Sequence, residues 1–299
     1  MERYVIINAD DFGMCHAHNG ATMELLEKGC VTSATIMAPC PWAGEAARFA
    51  AARPHLGVGV HLTTTCEWQD YRWGPVTGRA APSLMDGDGY MWRTGEEFAV
   101  HADLGELEKE LTAQIERLMG MGLTPSHLDS HMGTMYGLAT GRFELLYMAV
   151  ELAGRYHLPF RCPRHISMAM MENRMLGIPG EREQLEALLS PVVKRAEEMG
   201  VAMADQLLPG DWNGPQKDSY ENYREYIYEL YRSMEPGVTE TYIHPAREGE
   251  EIEGITGLWQ RRVWEYRLYS DPATMRHIRG LGIVPISYRE LARLRGMEG

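Results

Sequence analysis

Two adjacent carboxylates near the start of the chain are the first residues whose type and spacing suggest chemistry. Asp10 and Asp11 stand in the sequence NADDFG at positions 8–13, directly behind the apolar run from Tyr4 to Ile7. A short apolar run rich in β-branched residues and closed by turn formers is typical of a buried strand. The pair is therefore expected at the carboxyl end of a first strand, where α/β folds place ligands and catalysis. The alternative is that the aspartates only cap the next helix.

A histidine follows in a similar setting. The sequence GVGVHLT occupies positions 57–63, and a strand predicted over 56–62 places His61 near its carboxyl end. The two-residue period of a strand puts His61 on the same side as Gly57 and Gly59. Such a histidine is either a metal ligand or a structural residue held by hydrogen bonds.

A third site is the sequence TPSHLDSHMGT at positions 124–134. If residues 126–131 are extended, His127, Asp129 and His131 project to one face of the strand. Burying three ionisable groups without partners would cost several kcal/mol. These side chains therefore either face solvent or converge on something charged.

Convergence agrees with the other two sites. Asp11, His61 and His127 are each predicted at the carboxyl end of a different strand, so we expect their side chains to meet. Two imidazoles and one carboxylate are a common ligand set for a divalent ion that keeps positions open for water and substrate. By ligand type, this set suits Zn²⁺.

The elements that must position these residues alternate between apolar strand-like runs and helical patterns, as in repeated βα units. Strands are predicted over 4–8, 32–38, 56–62, 124–130, 158–161, 201–205, 239–243 and 282–287. Helices are predicted over 17–29, 43–53, 104–121, 142–156, 181–199, 219–234, 259–280 and 288–295. Seven or eight such units favour an α/β fold of the (β/α) barrel type, similar to a TIM barrel, in one domain spanning residues 1–299.

Composition narrows the class of ligand. The 299 residues are 44% hydrophobic and carry a formal net charge of −13, with a pI near 5.3. This charge argues against nucleic-acid binding, which requires clustered Lys and Arg. The 5 cysteines form no CxxC pair and are odd in number, which indicates reduced thiols rather than a disulfide framework. With no stretch as long as a transmembrane helix, we expect a soluble, cytoplasmic protein that does not bind membranes.

Four motifs together resemble the YdjC-like carbohydrate deacetylases, the family that includes diacetylchitobiose deacetylase. They are NADDFG, GVHLT, SHLDSH and YIHPA, and they occur in the family's order and with similar spacing, in a match that runs to Gly282–Ser287. The resemblance implies a distorted (β/α) barrel, distantly similar to polysaccharide deacetylases. It further implies removal of an N-acetyl group from an amino sugar with one divalent metal ion, commonly Mg²⁺.

The resemblance also implies roles for individual residues. Asp11, His61 and His127 correspond to metal ligands, and Asp10 to the catalytic base. His244, in the sequence YIHPA, corresponds to a histidine that acts as general acid. The alternative for His244 is a purely structural position in a turn, because it immediately precedes a proline.

One departure from the family pattern bears on the sugar site. Family members commonly continue SHLDSH with further histidines, whereas this chain has Met132, Gly133 and Thr134. Within the motif, Asp129 is predicted to orient a ligating histidine through a hydrogen bond. His131 is predicted either to line the substrate cleft or join the metal ligands, or to be a plain turn residue.

Two further groups are candidates for substrate contact. Arg161 and Arg164, in the sequence FRCPRH, are predicted to hold the base aspartate or a substrate hydroxyl, with surface charges as the alternative. Residues 64–98 form a predicted loop rich in Gly, Pro and aromatics, and loops of this length are usually functional. Its aromatics, with Trp42 and Trp212, either stack on a sugar ring or pack the loop onto the barrel rim.

The leading prediction is a metal-dependent hydrolase that removes an N-acetyl group from an amino sugar or a small chito-oligosaccharide. One alternative is a metal-dependent hydrolase of another acyl amide or ester. Another is a carbohydrate-binding protein without turnover, against which Asp10 argues because a binding protein needs no base beside the metal. The oligomeric state is left open, since exposed aromatics suit a homo-oligomer interface as well as a sugar.

Overall fold

Parallel strands form the frame of the computed structural model, which describes residues 2–297. The strands are β1 (Arg3–Phe12), β2 (Ser33–Ile36), β3 (Val58–Leu62), β4 (Leu128–Ser130), β5 (Gln206–Leu207), β6 (Gly237–Ile243) and β7 (Ile283–Pro285). Their order in the sheet is β4-β3-β2-β1-β6-β5, and β7 pairs with the start of β1. All pairings between these strands are parallel, so their carboxyl ends lie at one edge.

The edges of the sheet are joined by isolated hydrogen bonds. The backbone N–H of Arg161 donates to the carbonyl of Leu128 at 2.9 Å, and that of Phe160 donates to Ala202 at 3.0 Å. Hydrogen bonding between neighbouring segments thereby continues from β4 through residue 160 to the segment that leads into β5. The sheet curls into the distorted (β/α) barrel that the sequence predicted.

Two predicted strands, 158–161 and 201–205, differ from the structure where these hydrogen bonds join the edges of the sheet. Residues 158–161 contribute one parallel bridge, between Phe160 and Leu128. Residues 201–205 lie outside β5, which begins at Gln206. The first segment stays short because Pro159 has no N–H with which to extend a ladder.

Helices surround the sheet. The α-helices within residues 2–297 are α1 (His16–Glu27), α2 (Ala43–Ala51), α3 (Gly95–His101), α4 (Leu104–Gly120), α5 (Glu144–Arg155), α6 (Met168–Glu172), α7 (Arg182–Glu198), α8 (Tyr220–Ser233), α9 (Glu250–Ile255), α10 (Trp259–Ser270), α11 (Pro272–Gly280) and α12 (Tyr288–Leu294). The helix predicted over 259–280 is therefore two helices. Pro272 disfavours helical geometry at Asp271, and the Asp271 carboxylate instead accepts a hydrogen bond from the N–H of Ala273 at 2.8 Å. None of these helices is long and apolar enough to cross a membrane.

Alternate residues of β1 face two different environments. Val5 and Ile7 belong to the main hydrophobic core between the sheet and the helices. Ile6 belongs to a separate apolar cluster. Asn8 and Asp10, further along the same face, are buried and polar. The barrel interior is therefore apolar towards the amino ends of the strands and charged towards their carboxyl ends.

Candidate metal centre and active site

The end of β1 brings both predicted aspartates into the same pocket. Between Ala9 and Phe12 the pairing with β2 shifts register, and Asp11 has a φ of 59°. Because successive side chains of a regular strand point to opposite faces, this irregularity is what allows adjacent carboxylates, Asp10 and Asp11, to line one pocket. A positive φ costs about 1–3 kcal/mol at a non-glycine residue, and such strain concentrates at functional sites.

Asp11 meets two imidazoles at the carboxyl ends of neighbouring strands. Its Oδ1 lies 3.4 Å from Nε2 of His61 and 3.3 Å from Nδ1 of His131. The three potential ligand atoms lie within 4.8 Å of one another, and all three residues are buried. Asp11 Oδ1 has no hydrogen-bond partner within residues 2–297. A buried, unpartnered carboxylate oxygen facing two imidazole nitrogens fits a divalent cation.

The outer nitrogen of each imidazole is held by another carboxylate. Nδ1 of His61 is 2.6 Å from Oδ1 of Asp129, which lies opposite His61 in the pairing of β3 with β4. Nε2 of His131 is 3.0 Å from Oε2 of Glu67, a residue of the 64–98 segment. Donation to these carboxylates directs the inner nitrogens at Asp11, the orientation found around metal-binding histidines.

The same carboxylates hold protons on both imidazoles in the protein alone. Burial by itself lowers the pKa of His61, but the charges of Asp129 and Asp11 outweigh burial and raise it to about 10. Burial likewise lowers the pKa of His131, while Glu67 and Asp11 raise it to about 9. The pocket thus stabilises two positive charges beside Asp11, which a divalent cation would supply in place of the two protons.

Asp10 is fixed by an arginine. Nη1 and Nη2 of Arg161 each donate to one Asp10 oxygen at 2.7 Å, and Asn8 Nδ2 donates to Asp10 Oδ1 at 2.8 Å. The same guanidinium contacts Asp129 Oδ2 at 3.0 Å and Glu240 Oε1 at 2.7 Å. Arg161 is 3% exposed. This buried arginine therefore links Asp129, the partner of His61, to Asp10.

Arg262 occupies the opposite side of Asp11. Its Nη1 donates to Asp11 Oδ2 at 2.9 Å and lies 2.8 Å from Nε2 of His18, while its guanidinium lies over the ring of Trp68. Burial would raise the pKa of Asp11, but Arg262, His244 and the two imidazoles hold it well below its usual value. Asp11 is therefore ionised, with only Oδ1 directed at the imidazoles.

His244 follows directly after β6 and lines the same pocket. Its backbone N–H donates to Oε2 of Glu265 at 2.7 Å, which fixes the end of the strand. Burial holds the pKa of His244 well below 6.5 against the opposing charge of Asp11, and Arg262 and Arg261 lower it further. The resting imidazole is therefore neutral.

His127 does not join Asp11 and His61. It lies before β4 rather than at its carboxyl end, so the predicted position in the strand is wrong. Its ring stacks on Tyr288 at 3.8 Å, and Nδ1 is 2.9 Å from the hydroxyl of Ser126. A Cβ on Gly59 would lie 2.4 Å from the carbonyl oxygen of His127 and 2.6 Å from its Nδ1, so only glycine leaves room for this histidine.

Arg164 lies outside the pocket as well. It pairs with Glu197 on α7, and its Nε is 3.7 Å from Asp205. Arg161, three residues earlier, is the member of the FRCPRH motif that reaches the site.

The pocket has a volume of about 450 Å³ and also contains residues that sequence reasoning missed. Glu67 and Arg262 contact His131 and Asp11, respectively. Glu240, which sequence reasoning also missed, contacts Arg161 but is not part of the pocket lining. Glu67 stands in an irregular segment and Arg262 in a helix distant along the chain. Neither position carries a periodic signal that would mark it.

The chain is similar to known proteins in family, sequence and fold. The model of the YdjC-like protein family matches residues 4–279. A carbohydrate deacetylase of Geobacillus stearothermophilus is 32% identical over 296 residues, covering 98% of this chain and 100% of that protein. A chitooligosaccharide deacetylase of Yersinia enterocolitica is 32% identical over 62% of this chain and 69% of its own length. A solved structure from Enterococcus faecalis, provisionally described as a cellobiose-phosphate cleavage protein, has a TM-score of 0.74 and 28% identity, covering 97% of this chain and 99% of that one.

Proposed function

Because the chain belongs to the YdjC-like family and is a carbohydrate deacetylase, we propose that it removes the N-acetyl group of an amino sugar or small chito-oligosaccharide with one divalent cation. One observation carries the proposal. The unpartnered Oδ1 of Asp11, faced by His61 and His131, lies in the same pocket as a second fixed carboxylate, Asp10. The relative named chitooligosaccharide deacetylase supports the class of sugar.

The cation would be held by Asp11 Oδ1, His61 Nε2 and His131 Nδ1, with His131 in place of the predicted His127. A divalent cation bound there would polarise the acetyl carbonyl and lower the pKa of a water molecule. Zn²⁺ suits two imidazoles and a carboxylate, whereas the family resemblance favours Mg²⁺. Both ions therefore belong in the assay.

Asp10 is proposed as the base that takes a proton from the attacking water. Its two hydrogen bonds from Arg161 fix the carboxylate plane, and the hydrogen bond from Asn8 fixes it further. A positioned base of this kind contributes about 10²–10⁴-fold to a rate. The arrangement leaves Asp10 pre-oriented within the pocket instead of free to rotate.

His244 is proposed to protonate the leaving amine. Cleavage of the C–N bond releases acetate and the free amino sugar, and the amine nitrogen needs a proton as it departs. Since the resting imidazole is neutral, His244 must take up a proton from solvent before it can donate one to the amine, and Asp10 afterwards returns the proton of the attacking water to solvent. The negative charge of Asp11 favours that protonated form.

The proposal is tested by acetate release from purified protein of known metal content. N-acetylglucosamine and its β-1,4-linked oligomers are supplied with and without a chelator, followed by readdition of Zn²⁺ or Mg²⁺. We expect release that the chelator abolishes and one of the ions restores. Release unaffected by exhaustive metal removal would contradict the role of the cation, and absence of release from every N-acetylated sugar would contradict the substrate class.

A further inference from the structure

An apolar cavity lies beside the catalytic pocket. Its volume is about 210 Å³, and residues of α5, α6 and α7 contribute to its lining. A cavity of about 150 Å³ that is lined by aliphatic and aromatic side chains stays dry and can bind benzene. The cavity beside the pocket is therefore large enough for a hydrocarbon group of about six carbons.

The cavity and the catalytic pocket share a wall. The residues that line both spaces are Tyr136, Leu138, Leu176, Ile178 and Leu207. Leu176 and Ile178 belong to a segment without regular structure between α6 and α7. Within residues 2–297, the N–H groups of 178–181 donate no hydrogen bond to another backbone group. Side-chain packing holds the wall at this point, so a chain bound in the pocket can pass between its side chains into the cavity.

The side chains of the cavity offer an occupant few hydrogen bonds. The hydroxyl of Tyr136 already donates to the carbonyl of Arg161 at 2.8 Å, and the thiol of Cys162 donates to the carbonyl of Pro163 at 3.7 Å. Apart from Tyr147, the other lining residues have apolar side chains. A sugar hydroxyl placed here would lose its hydrogen bonds to water without replacement. An alkyl chain has no such loss, and its transfer out of water is favourable.

The cavity lies on the side of the pocket where the proposed base is held. Tyr136, in the shared wall, is bonded to the backbone of Arg161. Leu207, also in that wall, lies opposite Glu240 in the pairing of β5 with β6, and Glu240 accepts a hydrogen bond from Arg161. Arg161 in turn holds Asp10. Because the base must lie close to the acyl carbon that water attacks, the group beyond that carbon is directed towards the cavity.

We propose that this cavity binds the alkyl part of an N-acyl group longer than acetyl, so that the protein also hydrolyses N-butanoyl and N-hexanoyl amino sugars. The inference rests on the proposed function and deepens it by assigning the acyl specificity of the same site. The C–N bond breaks and the oxygen of water bonds to the acyl carbon. The products are a longer carboxylate in place of acetate and the protonated amine of the sugar.

Two variants that fill the cavity test this assignment, Ala187→Trp and Leu146→Trp. Both residues line the cavity and not the catalytic pocket, and Ala187 is exposed at its rim, where a larger side chain is tolerated. Ser190→Trp is the matched control, since Ser190 lies on the same helix as Ala187, is exposed and lines neither space.

The substrates are chitobiose carrying N-acetyl, N-butanoyl or N-hexanoyl groups, and the hexyl glycoside of diacetylchitobiose. The glycoside carries its alkyl group on the sugar instead of the acyl carbon, so it distinguishes the two ways in which an alkyl chain could reach the cavity. For each protein, kcat/KM for release of the free amine is measured together with metal content and Tm.

We expect kcat/KM of the unmodified protein to be higher for the N-hexanoyl than for the N-acetyl substrate, because each buried methylene favours binding about fourfold. Each filling variant should lower the ratio of the two values about tenfold at normal metal content, whereas Ser190→Trp keeps it. An N-hexanoyl value below the N-acetyl value would overturn the acyl site and leave deacetylation intact, as would filling variants that keep the ratio.

Two other outcomes also count against the inference. Filling variants that slow hydrolysis of the hexyl glycoside but not of the N-hexanoyl substrate would place an alkyl group of the sugar in the cavity and overturn the acyl assignment. Release of amine from none of the four substrates would overturn the proposed function and the inference together.

Discussion

Two buried histidines on one stretch of chain, His127 and His131, have opposite surroundings. Both are at most 3% exposed. His127 lies before β4 and stacks on Tyr288, and burial lowers its pKa to about 3 despite the charge of Asp129. His131 follows β4, where Glu67 and Asp11 overcome burial and raise its pKa to about 9. A strand rises about 3.3 Å per residue, so the two lie at different heights in the barrel.

The two histidines belong to two levels of the barrel interior, which differ in the groups that surround them. The lower level comprises Gly59, His127 and Tyr288. The upper level comprises Asp10, Asp11, His61 and His131. The lower level satisfies its histidine with a hydroxyl and an aromatic ring, whereas the upper level surrounds its histidines with carboxylates. Among residues 2–297, the groups of ligand atoms that could hold a cation belong to the upper level.

The largest expected effect comes from removing the base of the upper level. Asp10→Asn should lower kcat by about 10²–10⁴-fold, because the amide cannot accept the proton from water. Metal affinity should persist, since the three proposed ligands are unchanged. Calorimetric metal titration together with acetate release measures both properties. An Asp10→Asn protein with wild-type kcat would remove Asp10 from this role.

The next test removes one histidine from each level. His131→Ala should weaken metal binding by more than about 100-fold, because a ligand is lost outright. His127→Ala should leave metal affinity unchanged and cost about 1–3 kcal/mol of unfolding free energy, since it removes a buried contact. Metal titration and urea unfolding of both variants decide the matter. The reverse pattern would restore His127 to the ligand set.

A smaller effect is expected from the partner of His131. Glu67→Gln should weaken metal binding about 10–100-fold, as is typical when the residue that orients a ligating histidine is changed. Glu97→Gln is the matched control, because Glu97 lines a cleft together with Glu67 but does not line the pocket that contains His61 and His131. Equal affinity in the two variants would show that Glu67 does not orient His131.

The smallest effect is on pH dependence in metal-free protein, where the two levels have opposite signs. The raised pKa of His131 stabilises the fold below about 6.5, and this contribution is lost as the pH rises towards about 9. The lowered pKa of His127 makes the fold lose stability as the pH falls from about 6.5 towards about 3. Urea unfolding across this range, with a chelator, should show His131→Ala flattening the basic side and His127→Ala the acidic side. Matching pH profiles in the two variants would contradict the difference between the levels.

The barrel was predictable because its signal is local and repeated. Apolar runs such as the one before Asp10 and amphipathic patterns such as α4 each report their own conformation. The prediction failed where one hydrogen bond joins two segments, as at Phe160 and Ala202. Such a contact depends on what lies opposite in space, which a window along the chain does not contain.

The candidate site divides in a similar way. The sequence placed Asp11 and His61 after strand-like runs, and the structure brings them within 3.4 Å. It favoured His127 over His131 as the third member, whereas the structure groups His131 with Asp11 and His61. Both histidines were predicted on one face, and the outcome depends on the register of β4 against β3. Contact with Asp10 was predicted for Arg161 and Arg164 together. In the structure Arg161 makes this contact, whereas Arg164 pairs with Glu197.

By itself, the sequence determined the fold class and the membership of Asp10, Asp11 and His61 in one group, because strand ends and their turn formers are written in consecutive residues. Tertiary structure alone decided which histidine completes the group and which distant residues, Glu67 and Arg262 among them, surround it. The physical reason is that electrostatic contacts act over a few ångströms in space, and closure of the barrel sets those distances whatever the separation along the chain.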